Sequence, residues 1–220
     1  MKNPWVIIGI IVVVLFGGSF WYASSSAEKN NEGITFEPHV KGNPDASVVL
    51  VEYSDFQCPA CAAFQPVVED VLAQYGDSLR FEYKHFPLPI HPLAEPAARA
   101  AEAAGQQDKF FEFHDLLFAN QLSWSNSVNP VVPFVQYAEE LELDIDLFKR
   151  HYNASLIRER VREDLAESRQ LGLTGTPTFF LNGERMVIST YEDFVNQIAT
   201  AINPETATGT TAAPAVEFGI

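Results

Sequence analysis

The chain is 220 residues long, 47% hydrophobic and 20% charged, which is enough for one well-cored domain plus tails. Its 14 basic against 29 acidic residues leave a net charge of −15, a soluble and self-repelling surface with no reason to bind nucleic acid. There are two cysteines in all, so the usual four-ligand zinc site lacks a second cysteine pair.

At the amino terminus, Lys2 precedes an apolar run from Trp5 to Tyr22 that holds no charged side chain. As a helix it would reach about 27 Å, close to the roughly 30 Å hydrocarbon core of a bilayer. Trp5 at one end and Trp21-Tyr22 at the other suit the two interfaces, and the positive end should stay in the cytoplasm. Residues 1–23 are thus expected to be a retained single-pass membrane anchor. The competing reading is a cleaved secretory signal, with Ser25-Ser26-Ala27 as the cleavage site. No cysteine follows the run, which argues against a lipoprotein anchor. Either way the rest of the chain lies outside the cytoplasm, in a periplasm or on the outer surface, where disulfides persist. Residues 24–35 are polar and read as a flexible linker.

The folded part should span residues 36–202. Val48–Ser54 is continuously apolar apart from Glu52 and reads as a buried strand. The next segment sets Phe64, Val67, Val68, Val71, Leu72 and Tyr75 on one helical face and stops at Gly76-Asp77. Leu79–Phe86 is a second strand, ended by Pro87-Leu88-Pro89. A block of helices follows over about residues 90–171: Leu93–Ala104, Lys109–Asn120, Val131–Leu141, and one or two more between Asp144 and Gln170. Asp144 and Asp146 are available as caps there. Thr178–Leu181, the turn Asn182-Gly183 and Arg185–Ile188 predict a hairpin. Tyr191–Ile202 predicts a last helix. Residues 203–220, rich in Thr, Ala and Pro, read as a disordered tail.

Cys58-Pro59-Ala60-Cys61 stands between the first strand and its helix. Two thiols two residues apart can pair, and at a helix start the first feels the positive dipole end and the unpaired N–H groups of the first turn. Both favour the thiolate, the species that attacks disulfides. Pro59 fits the first helical turn, where its missing N–H costs nothing. Strand, Cys-x-x-Cys, helix is the pattern of a thioredoxin-like redox site. Two other readings compete with it. A metal site would need His85 and His91 as extra ligands, at a spacing unlike a zinc finger. A purely structural disulfide over so short a loop would remove little unfolded-chain entropy.

Several segments together resemble the DsbA family of extracytoplasmic thiol–disulfide oxidoreductases, especially its membrane-tethered bacterial branch. They are Glu52 to Cys61, Phe86-Pro87-Leu88, the alanine-rich stretch Ala97 to Ala104, and Gly172 to Phe180 with its Thr176-Pro177 pair. The resemblance covers nearly all of residues 36–202 and implies an α/β, thioredoxin-like fold with an inserted helical domain.

It also implies roles. Cys58 would attack and form the mixed disulfide, and Cys61, one turn in, would resolve it. Pro177 would be cis and face the redox pair. Pro59, Ala60 and Thr176 would contact substrate, Thr176 through its backbone. Glu52 would move a proton at Cys61, with Lys84 a possible counter-charge; the alternative is that Glu52 simply reaches solvent. His85 and His91 could approach the rim, and Asn153-Ala154-Ser155 is a chance match to a glycosylation acceptor. The implied substrates are exported cysteine-containing proteins, and the implied reoxidant is a quinone-linked membrane protein. No cofactor or metal is expected. Residues 24–47 hold no recognisable dimerisation module, so a monomer is expected. The leading function is a disulfide-donating oxidase; an isomerase or reductase, or a non-catalytic binding or chaperone module, are the alternatives.

Overall fold

The computed structural model describes residues 4–204, with the side chains of the first helix described only in part. Five strands form one sheet, β1 (His39–Gly42), β2 (Val48–Ser54), β3 (Leu79–His85), β4 (Thr178–Leu181) and β5 (Glu184–Arg185), in the order β1-β3-β2-β4-β5. β2 and β3 are parallel, as the crossover helix α2 (Pro59–Tyr75) between them requires; the other pairs are antiparallel. β2 is therefore central, which explains its run of apolar residues.

The two faces of the sheet carry different elements. Leu50, Phe81, Tyr83 and Phe179 pack with α2, with α4 (Phe110–Ala119) and with α9 (Tyr191–Ile202) in the main core. Tyr53 and Phe180 face the other way, toward Leu165 and Leu173. The insertion between β3 and β4 comprises α3 (Ala94–Gly105), α4, α5 (Gln121–Trp124), α6 (Val131–Glu140), α7 (Ile145–Tyr152) and α8 (Ser155–Gln170). α3 is buried along most of its length, and its alanines let neighbouring helices approach closely. Asp144 caps α7 by accepting from the Leu147 N–H at 2.9 Å, whereas Asp146 sits inside its first turn.

Two expectations need correction. The hairpin turn is where Asn182-Gly183 placed it, both residues having positive φ (51° and 84°), but its second strand is the two residues of β5 and ends before Met186. Residues 24–35 are not a flexible linker throughout: α1 (Pro4–Asn31) continues through Asn31 and is stitched to the insertion. There the Asn31 amide donates to Ser155 Oγ at 2.9 Å and its oxygen accepts from the Leu156 N–H at 3.2 Å, capping α8. Thr35 exchanges two bonds of 2.9 Å with the Gln106 side chain. Among the described residues no helix is long and apolar enough to cross a membrane. Lys2, which would set the orientation, and nearly all of the expected tail, residues 205–220, lie outside the described residues.

Candidate active site

β2 delivers Ser54 to the end of the sheet, and the turn Asp55-Phe56-Gln57 carries the chain into α2. The buried Asp55 carboxylate organises this turn. Its Oδ1 accepts from the Gln57 N–H at 2.7 Å, and its Oδ2 from the Leu88 N–H and binds His91 Nδ1, both at 2.8 Å. Gln57 Oε1 in turn accepts from the Leu93 N–H at 2.7 Å. The buried Gln121 amide donates to the carbonyls of Phe56 and Cys58 at 2.8 and 2.9 Å. Sequence reasoning missed both Asp55 and Gln121 as site residues. Asp55 stood inside the quoted motif, but α5 is a single turn with no periodicity to reveal it.

Cys58 is the N-cap of α2, in extended conformation, with Pro59 as the first helical residue. Cys61 lies three residues further, on the first turn. Both are free thiols, Cys58 6% and Cys61 1% exposed. Cys58 Sγ donates to the Thr176 carbonyl oxygen at 3.5 Å. A hydrogen bond from Cys61 pulls the Cys58 thiol down to about 5, against burial, and the backbone N–H groups of Cys61 and Ala60 add to it. Burial, the bond to Cys58 and the nearby Glu52 carboxylate push Cys61 far above the ordinary thiol range. The two sulfurs of one motif thus differ in the direction of their shift.

β4 pairs antiparallel with β2, Thr178 opposite Tyr53, and this register sets the residues just before β4 beside the motif. The Thr176–Pro177 bond is cis. Pro59 and Ala60 are exposed and Thr176 half-buried, so these three flank Cys58 at the surface.

Glu52 is 2% exposed, which removes the solvent-reaching alternative. Burial raises its carboxyl to about 7, opposed by the nearby Ser54 side chain, and its Oε2 has no hydrogen-bond partner. Lys84 is not its counter-charge. In the parallel register Glu52 faces Tyr83, and Lys84 points to the other side of the sheet, 2.8 Å from Glu167 and 3.5 Å from Asp164. Nor do the two histidines complete a metal site with the cysteines: His91 binds Asp55, and His85 is buried against Glu102 at 3.0 Å.

Set beside known proteins, residues 35–200 match the profile of the family described as thioredoxin. The chain is 42% identical over 148 residues to a protein named Na(+)/H(+) antiporter NhaA 3 from Salinispora tropica, a match covering 67% of this chain and 22% of that protein. It thus spans about a fifth of that relative's length. Wolbachia pipientis alpha-DsbA1 superposes with a TM-score of 0.67 at 22% identity, over 79% of this chain and 95% of that one. Oxidised BdbD from Bacillus subtilis gives 0.66 at 22%, over 78% and 94%. At such identities the likeness is one of fold: thioredoxin-like, with helices inserted between β3 and β4.

Proposed function

The chain belongs to the thioredoxin family, and on that premise we propose that it is an extracytoplasmic thiol–disulfide oxidoreductase that donates its Cys58–Cys61 disulfide to exported proteins. The observation that carries this reading is the opposed pair of thiols at the head of α2, Cys58 lowered to about 5 and Cys61 raised. At pH 7 a thiol of that acidity gains about 2.7 kcal/mol on ionising, or roughly 60 mV toward an oxidising couple. That gain favours the reduced protein and hence disulfide donation.

The steps follow from these positions. A client thiolate attacks Cys58 Sγ of the disulfide, forming a mixed disulfide and expelling Cys61 as a thiolate. Cys61 holds a proton tightly, and Glu52, poised near neutrality beneath it, supplies one. A second client thiolate attacks the client's own sulfur in the mixed disulfide and releases Cys58, which leaves as a stable thiolate. The client loses two electrons and the protein gains them. Reoxidation runs the sequence backwards, with Glu52 taking the Cys61 proton; a quinone-linked membrane protein is the proposed acceptor. Pro59, Ala60 and Thr176 contact the client around Cys58.

A membrane tether through residues 5–22 is part of the proposal. The apolar run supports it, as do Val12, Val13, Val14 and Leu15, large apolar side chains exposed on α1. Alkaline washing of membranes tests it: the chain should stay with the lipid, and release of a shortened product beginning near Glu28 would mean cleavage. The chemistry is tested by the reduction potential of the Cys58–Cys61 pair in glutathione buffers. A value tens of millivolts above the roughly −270 mV of thioredoxin is expected, and one at or below it overturns the oxidase reading.

A further inference from the structure

Beside Tyr83, a second group of reactive side chains converges. His39 opens β1, His85 closes β3 and Glu102 lies on α3, yet their ligand atoms all fall within 4.8 Å of one another. The Nε2 atoms of His39 and His85 lie 2.9 and 3.0 Å from the same Glu102 Oε1. We propose that these three residues form a binding site for a divalent transition-metal ion of the Zn2+ class, distinct from the redox pair and independent of its chemistry.

The donor set selects the ion. Two imidazoles and one carboxylate suit zinc and its neighbours, whereas Ca2+ and Mg2+ take oxygen ligands. The geometry is close to what is needed. Tetrahedral zinc with bonds of about 2.0–2.2 Å sets neighbouring ligand atoms roughly 3.3–3.5 Å apart, so the two His–Glu separations of 2.9 and 3.0 Å open slightly while the widest separation, within 4.8 Å, closes. Nothing on Glu102 opposes this. Its side chain is fully buried, and Oε2 has no hydrogen-bond partner, a costly state for a carboxylate that coordination would relieve.

The rings are already held in place. His39 stacks face to face on Phe110, centroids 3.4 Å apart and planes 7° from parallel. Gly105 passes close to the same ring, where an added Cβ would come within 3.3 Å of His39 Cε1. His85 is fixed edge-on by Tyr83 and Phe110. Access comes from a cavity of about 330 Å³ that His39 and Glu102 border, and which can supply a water as the fourth ligand. Glu37, Asp108 and Glu112 also line it, and three acids around a mouth concentrate cations there. An ion so placed joins β1, β3 and the most buried helix of the insertion, three elements otherwise linked here only through hydrogen bonds and packing.

The test uses the full chain in detergent, with both cysteines replaced (Cys58→Ser, Cys61→Ser) so that thiols cannot capture metal. Equilibrium dialysis against Zn2+ should give one ion per chain. Co2+ in its place should give the visible bands of a low-coordinate nitrogen and oxygen site without thiolate charge transfer, and Zn2+ should raise the melting temperature. His39→Ala, at a partly exposed position, should weaken binding by more than roughly tenfold and abolish that rise. Failure of the cysteine-free protein to bind Zn2+ overturns the proposal, as does undiminished binding by His39→Ala. Neither result bears on disulfide exchange, which is measured separately in the unaltered chain.

Discussion

Cys58 and Glu52 shift in opposite senses, and their effects on the reduced protein oppose one another. Cys58 is lowered from 9.0 to about 5, so between those values the unfolded chain binds one more proton than the folded one, and stability rises with pH. Glu52 is raised from 4.5 to about 7, so across that span the folded chain binds the extra proton, and stability falls. From pH 5 to 7 the two slopes cancel. Replacing Glu52 by Gln, shaped like the protonated acid, removes one of them. The reduced variant should then gain about 1.4 kcal/mol per pH unit over that window relative to reduced wild type, as read by urea unfolding at a series of pH values. Parallel pH profiles would show that Glu52 does not titrate there. At this scale the residues visible in the sequence were those whose meaning is local. Cys58 and Cys61 declare themselves by spacing, and Glu52 by being charged in an apolar strand. The Lys84 assignment failed because which face a strand residue occupies depends on register with its neighbour. His39 and Gln121 gave no signal, since their partners lie 63 residues or more away in sequence.

Among the elements, short pieces matter beyond their length. α5 is a single turn, but it presents the amide that holds the carbonyls of Phe56 and Cys58. Gln121→Ala leaves both acceptors buried and without that donor, and should cost about 1–3 kcal/mol in denaturant unfolding. A loss within a few tenths of wild type would mean that water replaces the amide without penalty. The long elements were legible: Val48–Ser54 and Tyr191–Ile202 have the bounds that their apolar patterns predict, and α2 ends where Gly76 stops its stripe. β1 was not, because His39-Val40-Lys41-Gly42 is too short and mixed to show a period, and its strand character comes from pairing with β3. The polar stretch that reads as a linker is helical to Asn31 for a similar reason. Its own composition favours disorder, and Asn31, Glu32 and Thr35 gain partners on the insertion that no local pattern reveals.

For the whole molecule, the proposed chemistry predicts an asymmetry between the two cysteines. Cys61→Ser should accumulate mixed disulfides with exported proteins, because the resolving thiol that α2 holds within one turn of the bond is gone and only outside thiols can release the client. Cys58→Ser should trap little, since the remaining sulfur is 1% exposed. Non-reducing gels of the two variants compare them directly, and equal trapping would sink the assignment of Cys58 as the nucleophile. The ends of the sheet bear on what happens to such a trapped client. An exported protein caught before it has folded offers bare strands, and an open sheet edge is a template on which strands add and aggregate. One edge here is β5, two exposed residues, Glu184 and Arg185, both charged; the other is the four-residue β1, preceded by Pro38 and ending in Gly42. Neither offers a length of backbone on which a client strand could build, so a captured chain is held by one sulfur–sulfur bond and by the local contacts around Cys58, and is free to go once that bond is exchanged.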